Sequence, residues 1–276
     1  MQQNSAHNPT QNPATLASAQ AALSFKNLHL ELGKKTILRN VSAQFNYGQL
    51  TVLLGPNGTG KSSLLKVITQ ELPIRGEVFF NQKTVQNWCS RALAKQVGVL
   101  PQSSSLVFNF SAQEVVELGG IALDCANAEI QHLAKQNMQR TDTQHLATRS
   151  YPSLSGGEKQ RVHFARVLTQ LEQSGAKKVL LLDEPTAALD LSHQHQTLTL
   201  AKQLAEQGAA VVIVMHDLNL AAQYADRVMI LNNANIVADG TPWEVLTEDN
   251  IEQVYQCKTR VIAHPDLGYP MVISAI

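Results

Sequence analysis

Apolar residues fall along this chain in two kinds of pattern. Leu50–Leu54, Val179–Leu182 and Ala209–Met215 are compact blocks bounded by polar or turn residues. Blocks of that length predict short strands buried on both faces. Two further stretches, Ala22–Leu32 and Thr36–Phe45, predict strands joined through Gly33-Lys34-Lys35, and Gly76–Phe80 and Val97–Leu100 add β segments. Between them, helical spacing recurs from Lys61 to about Thr69, over Ala112–Leu118, Ala128–Met138, Leu191–Gln207 and Leu218–Ala225. Short apolar strands alternating with helices imply an α/β fold with a mostly parallel sheet.

The pattern also divides the chain. Residues 1–20 are rich in Gln, Asn, Ala, Ser and Pro. They lack the apolar surface that offsets ordering entropy, so they are expected to be a disordered tail. Residues 21–246 form the main domain, within which about 88–165 reads as a helical insertion. Residues 247–276 are a weakly patterned appendix, and no internal repeat is evident.

Composition narrows the function. The chain has 276 residues, a formal net charge of zero and a pI near 7.1. A nucleic-acid partner is disfavoured, because phosphate binding draws on a basic excess. Cys89, Cys125 and Cys257 are far apart, which fits a reducing compartment better than a disulfide framework or zinc site. No apolar run approaches the roughly 20 residues of a membrane helix, and the N-terminus lacks a signal-peptide layout. The expectation is a cytoplasmic chain that reaches a membrane only through a partner.

The chemistry begins after the first buried strand. Gly55, Pro56, Asn57, Gly58, Thr59, Gly60, Lys61 and Ser62 match G-x-x-x-x-G-K-S, followed by Ser63 and a helix. Glycines here let the backbone turn its amides inward, at the positive end of the helix. Lys61 is placed to reach β- and γ-phosphates, and the Ser62 hydroxyl to ligate Mg²⁺. The second strand, VLLL, ends in Asp183-Glu184-Pro185. Parallel sheets gather ligands at the carboxyl ends of their strands. Asp183 is therefore expected on the metal and Glu184 on the attacking water. His216, at the end of a third strand, falls on the same edge within reach of a γ-phosphate.

A second anion site is written at Leu154-Ser155-Gly156-Gly157-Glu158. Ser155 and Glu158 have capping-box spacing at the start of a helix, and the two glycines expose amides.

Taken together, LSGGEKQR, GPNGTGKS, VLLLDEP, Ala188-Leu189-Asp190, Gln102 and His216 resemble the complete motif set of the ABC-transporter ATPases, over about residues 21–246. The resemblance implies a P-loop ATPase core with an N-terminal antiparallel β part and a helical insertion subdomain. It implies ATP and Mg²⁺ as ligands, and a homodimer in which Ser155, Gly156 and Gly157 of one chain cap the ATP held by the other. Asp190 would couple the two sites. Gln102 would sense Mg²⁺ and water and link to the membrane subunit. One departure stands out: the family's usual adenine-stacking aromatic is replaced here by Leu32.

Finer features resemble the importer ATPases for iron complexes and cobalamin. They are Phe108-Asn109-Phe110-Ser111, EVVELG from Glu114, LDLSHQHQTL, MHDLNLAAQYADRVMIL and DGTPWEVLT. RSYPSLSGGE and HPDLGYPMVI are similar to the haemin importers within that group. This implies two integral-membrane permease subunits, an indirect periplasmic haemin-binding partner and a place on the cytoplasmic face of the inner membrane. A ferric siderophore or cobalamin is the alternative cargo. His193 and His195 invite a haem-ligand reading, but their i, i+2 spacing on a helix sends them to different faces. A soluble ABC ATPase acting on nucleic acid and a P-loop kinase are the other classes. The neutral charge argues against the first and the LSGGE segment against the second.

Overall fold

The computed structural model describes residues 20–102 and 109–275. The expected tail, apart from Gln20, and Phe108 lie outside the described residues.

The chain opens with β1 (Ala21–Leu32), β2 (Lys35–Asn46) and β3 (Gln49–Leu54), then α1 (Lys61–Ile68), β4 (Arg75–Phe80) and β5 (Lys83–Thr84). Next come α2 (Ser90–Ala94), β6 (Val97–Leu100), α3 (Ala112–Glu117), α4 (Asn127–Arg140) and α5 (Gly156–Gln170). The second half holds β7 (Val179–Asp183), α6 (Leu191–Glu206), β8 (Ala210–Val214), α7 (Leu218–Tyr224), β9 (Arg227–Asn232) and β10 (Asn235–Gly240). It closes with α8 (Pro242–Val245), α9 (Glu248–Tyr255), β11 (Thr259–Ala263) and β12 (Pro270–Ser274).

Six strands form the central sheet in the order β10-β9-β3-β8-β7-β6. Every neighbouring pair is parallel except β9 with β10, which is an antiparallel edge. This order places β8 between β3 and β7, so the loops leaving β6, β7, β8 and β3 open along one edge. A separate antiparallel sheet, β2-β1-β4-β5, covers part of one face.

The apolar blocks pack as their double-sided pattern requires. Leu50, Val52 and Leu54 of β3 join Leu180, Leu182, Val211 and Ile213 in a core covered by α5, α6 and α7. The alternate residues, Leu53, Val179, Leu181, Val212 and Val214, face α1 and Phe25, Phe45 and Phe80 of the antiparallel sheet. Each fully buried Leu, Ile or Val contributes about 1.5–3 kcal/mol.

The stretch expected as helical from about 88 still contains a sheet strand. β6 pairs with β7 through Val97↔Val179 to Leu100↔Leu182, so the helical part starts beyond Leu100. Alternation within a four-residue run is too short to reveal which sheet it joins. The helical part has its own small core of Ala112, Val115, Val116, Ala134, Met138, Tyr151, Val162 and Ala165. Helix α5 serves both cores, since Phe164, Val167 and Leu168 face the central sheet. The weakly patterned last residues are ordered as α9 and a hairpin. Ile251 and Val254 enter the main core, with Tyr255, Val261, Tyr269 and Val272 packed against it.

Candidate active site

The loop from β3 to α1 is a backbone-lined cradle. A Cβ at Gly55, whose φ is +143°, would lie 2.1 Å from the Leu231 carbonyl oxygen. One at Gly60, at φ +103°, would lie 2.6 Å from Ile37 Cγ2. Only glycine fits either position. Gly60 caps α1 without any side-chain hydrogen bond, so no side chain satisfies the first amides of the helix. Thr59 Oγ1 donates to the Pro56 carbonyl at 2.9 Å and tightens the turn. Lys61 folds back onto its own loop, donating to the carbonyls of Gly55 at 2.7 Å and Pro56 at 2.9 Å. It is buried, and burial lowers its pKa against the opposing pull of Glu184 and Asp183. Its charge therefore lacks a full counterpart inside the cradle, which suits an incoming anion.

Asp183, also buried, accepts a hydrogen bond from Ser62 Oγ at 3.0 Å on Oδ1. Burial raises its pKa, and the Ser62 bond works the other way. Glu184 follows in a left-handed conformation, at φ +50°. Its amide donates to the Val214 carbonyl at 3.0 Å. Its carboxylate receives Gln102 Nε2 at 2.8 Å on one oxygen and His216 Nε2 at 2.6 Å on the other. Loops from three different strands thus meet on one carboxylate. These groups, with Lys35, Ile37, Asn57, Gly58, Gly60 and Ser63, wall a cleft of about 610 Å³. Leu32 is 45% exposed and is not in that wall.

One contact went unforeseen. Gln160, on α5, donates its Nε2 to the Glu184 backbone carbonyl at 2.7 Å. The residue is visible in LSGGEKQR, but nothing in that string says that its helix crosses the sheet edge.

The capping box expected at the second candidate anion site is present. Ser155 Oγ accepts the Glu158 amide at 3.3 Å, and Glu158 accepts the Ser155 amide at 2.7 Å. Arg149 holds the other Glu158 oxygen at 2.9 Å. A Cβ at Gly157 would lie 2.7 Å from the Ala188 carbonyl oxygen, so the helix start rests on the Ala188–Asp190 segment. Asp190 caps α6, accepting the His193 amide at 2.9 Å and His193 Nδ1 at 2.8 Å. Ser155, Gly156, Gly157 and Asp190 do not line the Lys61 cleft. Within one chain the two candidate phosphate sites stay apart. His193 is engaged by Asp190 through Nδ1 and by Asp142 through Nε2, and His195 Nδ1 bonds the Tyr224 hydroxyl at 2.7 Å, so the two histidines do not converge.

Residues 38–187 match the family described as ABC transporter. The chain is 56% identical over 263 residues to the hemin import ATP-binding protein HmuV of Photobacterium damselae subsp. damselae, covering 95% of this chain and 99% of that relative. It is 50% identical over 255 residues to the protein of the same name from Vibrio cholerae serotype O1, covering 92% and 98%. Among solved structures it is similar to a metal-chelate type ABC transporter in an inward-facing conformation, with TM-score 0.77 and 26% identity, covering 93% of this chain and 98% of that one. It is also similar to a dimeric ATP-binding cassette in a post-hydrolysis state with ADP and Pi, with TM-score 0.70 and 26% identity, covering 80% and 98%. With the nucleotide cradle, the strand-end carboxylates and the signature helix all in place, the chain belongs to the ABC transporter family, as one of its ATP-binding, ATP-hydrolysing subunits.

Proposed function

We propose that this chain drives the import of haemin as the energy-coupling subunit of an ABC importer, working as a head-to-tail homodimer beneath two permease subunits. The observation that carries the dimer is the separation just described. The Lys61 cleft and the Ser155 helix start both suit phosphate, yet they do not meet in one chain. A second copy, turned head to tail, brings the missing half to each cleft.

In this reading Lys61 exchanges the carbonyls of Gly55 and Pro56 for β- and γ-phosphate oxygens. The amides of Gly58, Gly60, Lys61, Ser62 and Ser63 take up the remaining phosphate charge, helped by the start of α1. Asn57 and Thr59 shape the loop. Ser155, Gly156 and Gly157 of the partner copy cap the γ-phosphate, with Asp190 at the junction. Glu184 turns from Gln102 and His216 to hold the attacking water and accept its proton. His216 then faces the departing phosphate.

The residues present also fit Mg²⁺. Ser62 Oγ and the buried Asp183 Oδ1 converge at 3.0 Å, and burial that disfavours the Asp183 anion is relieved by a hard cation. Ser62, Asp183 and Gln102 are the groups that would hold it. When bound with nucleotide it neutralises phosphate charge.

Among the described residues no helix is long and apolar enough to cross a membrane. Attachment to the cytoplasmic face of the inner membrane would come through the permease. A groove of about 500 Å³ on the helical part, bordered by Glu114, Glu117, Leu118, Leu123 and Ile121, is the seat we assign to it. Ile121 is 74% exposed there. The cargo assignment follows the names of the relatives, and a periplasmic haemin-binding protein would act on the far side. The test is uptake in cells lacking this chain, complemented by wild type or Glu184→Gln, with haemin, a ferric siderophore and cobalamin compared. Loss of haemin uptake alone, restored only by wild type, supports the reading. Intact haemin uptake with failure of either other cargo overturns it.

A further inference from the structure

The last thirty residues lie outside the ATPase motif set, yet they bond to the helix that follows His216. Between β8 and α7 the chain has only Met215, His216 and Asp217. Asp217 caps α7, its Oδ1 accepting the amides of Asn219 at 2.8 Å and Leu220 at 2.9 Å. The Asn219 side chain faces the other way, onto β12. Its Oδ1 accepts the Val272 amide at 2.7 Å, and its Nδ2 donates to the Val272 carbonyl at 3.2 Å. Val272 pairs with Val261 of β11. Because a strand residue points its N–H and C=O to the same side, both Val272 groups point away from β11. Asn219 therefore acts as a one-residue extension of the sheet edge, held at two points.

The same C-terminal unit reaches the phosphate loop. Tyr255, at the end of α9, buries a hydroxyl that lies near the Gly55 amide and closes no hydrogen bond of ordinary geometry among the described residues. Burial pushes its pKa up to about 12, and the nearby backbone N–H of Gly55 works the other way.

We infer that the C-terminal hairpin, through Val272 on Asn219, fixes the place of His216 at the strand end beside Glu184, from which it faces the phosphate, and makes Asn219 a positioning residue for hydrolysis. The inference rests on the ATPase reading. Among the described residues Asn219 hydrogen-bonds Asp217 and Val272 and no phosphate-loop residue, so its removal is expected to act on turnover and spare nucleotide binding. Small misplacements of reacting groups cost one to two orders of magnitude in rate.

The experiment uses the full-length chain, measuring steady-state ATP hydrolysis and the affinity of a fluorescent ATP analogue. Asn219→Leu is expected to lower kcat about tenfold while affinity stays within about twofold. Asn219→Asp keeps the acceptor for the Val272 amide and loses the donor, and is expected to fall between. Val272→Pro removes the amide from the other side, and edge strands tolerate proline. The double variant Asn219→Leu/Val272→Pro is expected to be no slower than the worse single variant, because both remove one interaction. Wild-type kcat in Asn219→Leu, affinity falling in step with kcat, or losses that multiply in the double variant would each overturn the inference. A wild-type chain that binds no ATP analogue and hydrolyses no ATP would instead overturn the ATPase reading beneath it.

Discussion

Gln160 grips the Glu184 backbone carbonyl at 2.7 Å from a helix whose first turn carries the Ser155 anion site. The proposed hydrolytic carboxylate and the proposed cap for the opposite nucleotide are thereby attached to one rod. Gln160→Ala removes a hydrogen bond worth about 1 kcal/mol, with little loss of stability expected. Its effect should fall on turnover, lowering kcat several-fold while ATP affinity holds. Unchanged kcat in a steady-state assay would mean that the bond is structural decoration.

Glu184 is the proposed proton acceptor, and its two oxygens are already addressed by Gln102 and His216. Glu184→Gln keeps shape and loses basicity. Hydrolysis should fall by at least about 100-fold, the usual scale for a lost general base. ATP should then hold the chain as a dimer in sedimentation. A variant that binds ATP and stays monomeric at high concentration would sink the head-to-tail proposal.

Leu32 stands where the family's adenine-stacking aromatic is expected, and it is exposed outside the cleft wall. Base–aromatic stacking is worth about 1–3 kcal/mol. Leu32→Tyr should therefore tighten ATP binding about fivefold or more, by titration with a fluorescent analogue. Equal affinity would show that adenine is held elsewhere, with Lys35 and Ile37 the nearest wall.

His163 on α5 predicts a pH dependence of stability. It is buried, its Nε2 bonded to the Tyr151 hydroxyl at 2.7 Å and its Nδ1 accepting from Arg166 Nε at 3.3 Å. Burial, with the Arg166 charge beside it, lowers its pKa to about 4. A proton on Nδ1 would face a guanidinium donor. The unfolded chain takes up that proton near pH 6.5, so stability is full above 6.5 and falls as pH drops toward 4, by at most about 3 kcal/mol. Wild type should lose unfolding midpoint across that window, and His163→Gln should show a flatter slope. Parallel slopes would assign the acid sensitivity to other groups.

Much of this site is legible in the amino-acid sequence, because its parts are local. A glycine loop between a buried strand and a helix, and carboxylates at a strand's end, need only the chain around them to be recognised. What the sequence hides depends on distant elements. Gln160 matters because α5 crosses the sheet edge, and Lys61, expected on phosphate, rests on the carbonyls of Gly55 and Pro56. The strand Val97–Leu100 is readable, but its place beside β7 is not. The C-terminal hairpin is hard to see because β11 and β12 are short and almost wholly exposed or half-buried, which leaves no buried apolar block to read.

Helix α5 packs into two cores at once, through Val162 and Ala165 on one side and Phe164, Val167 and Leu168 on the other. It has 15 residues, about 22 Å of unbroken helix without proline. A volume change in either core must therefore be absorbed by the other, since packed interiors transmit strain. Drift in sequence at such a helix is constrained from both sides together. A substitution in the helical part carries its consequences straight to the strand end that Gln160 holds at Glu184, and change there has to proceed through paired substitutions.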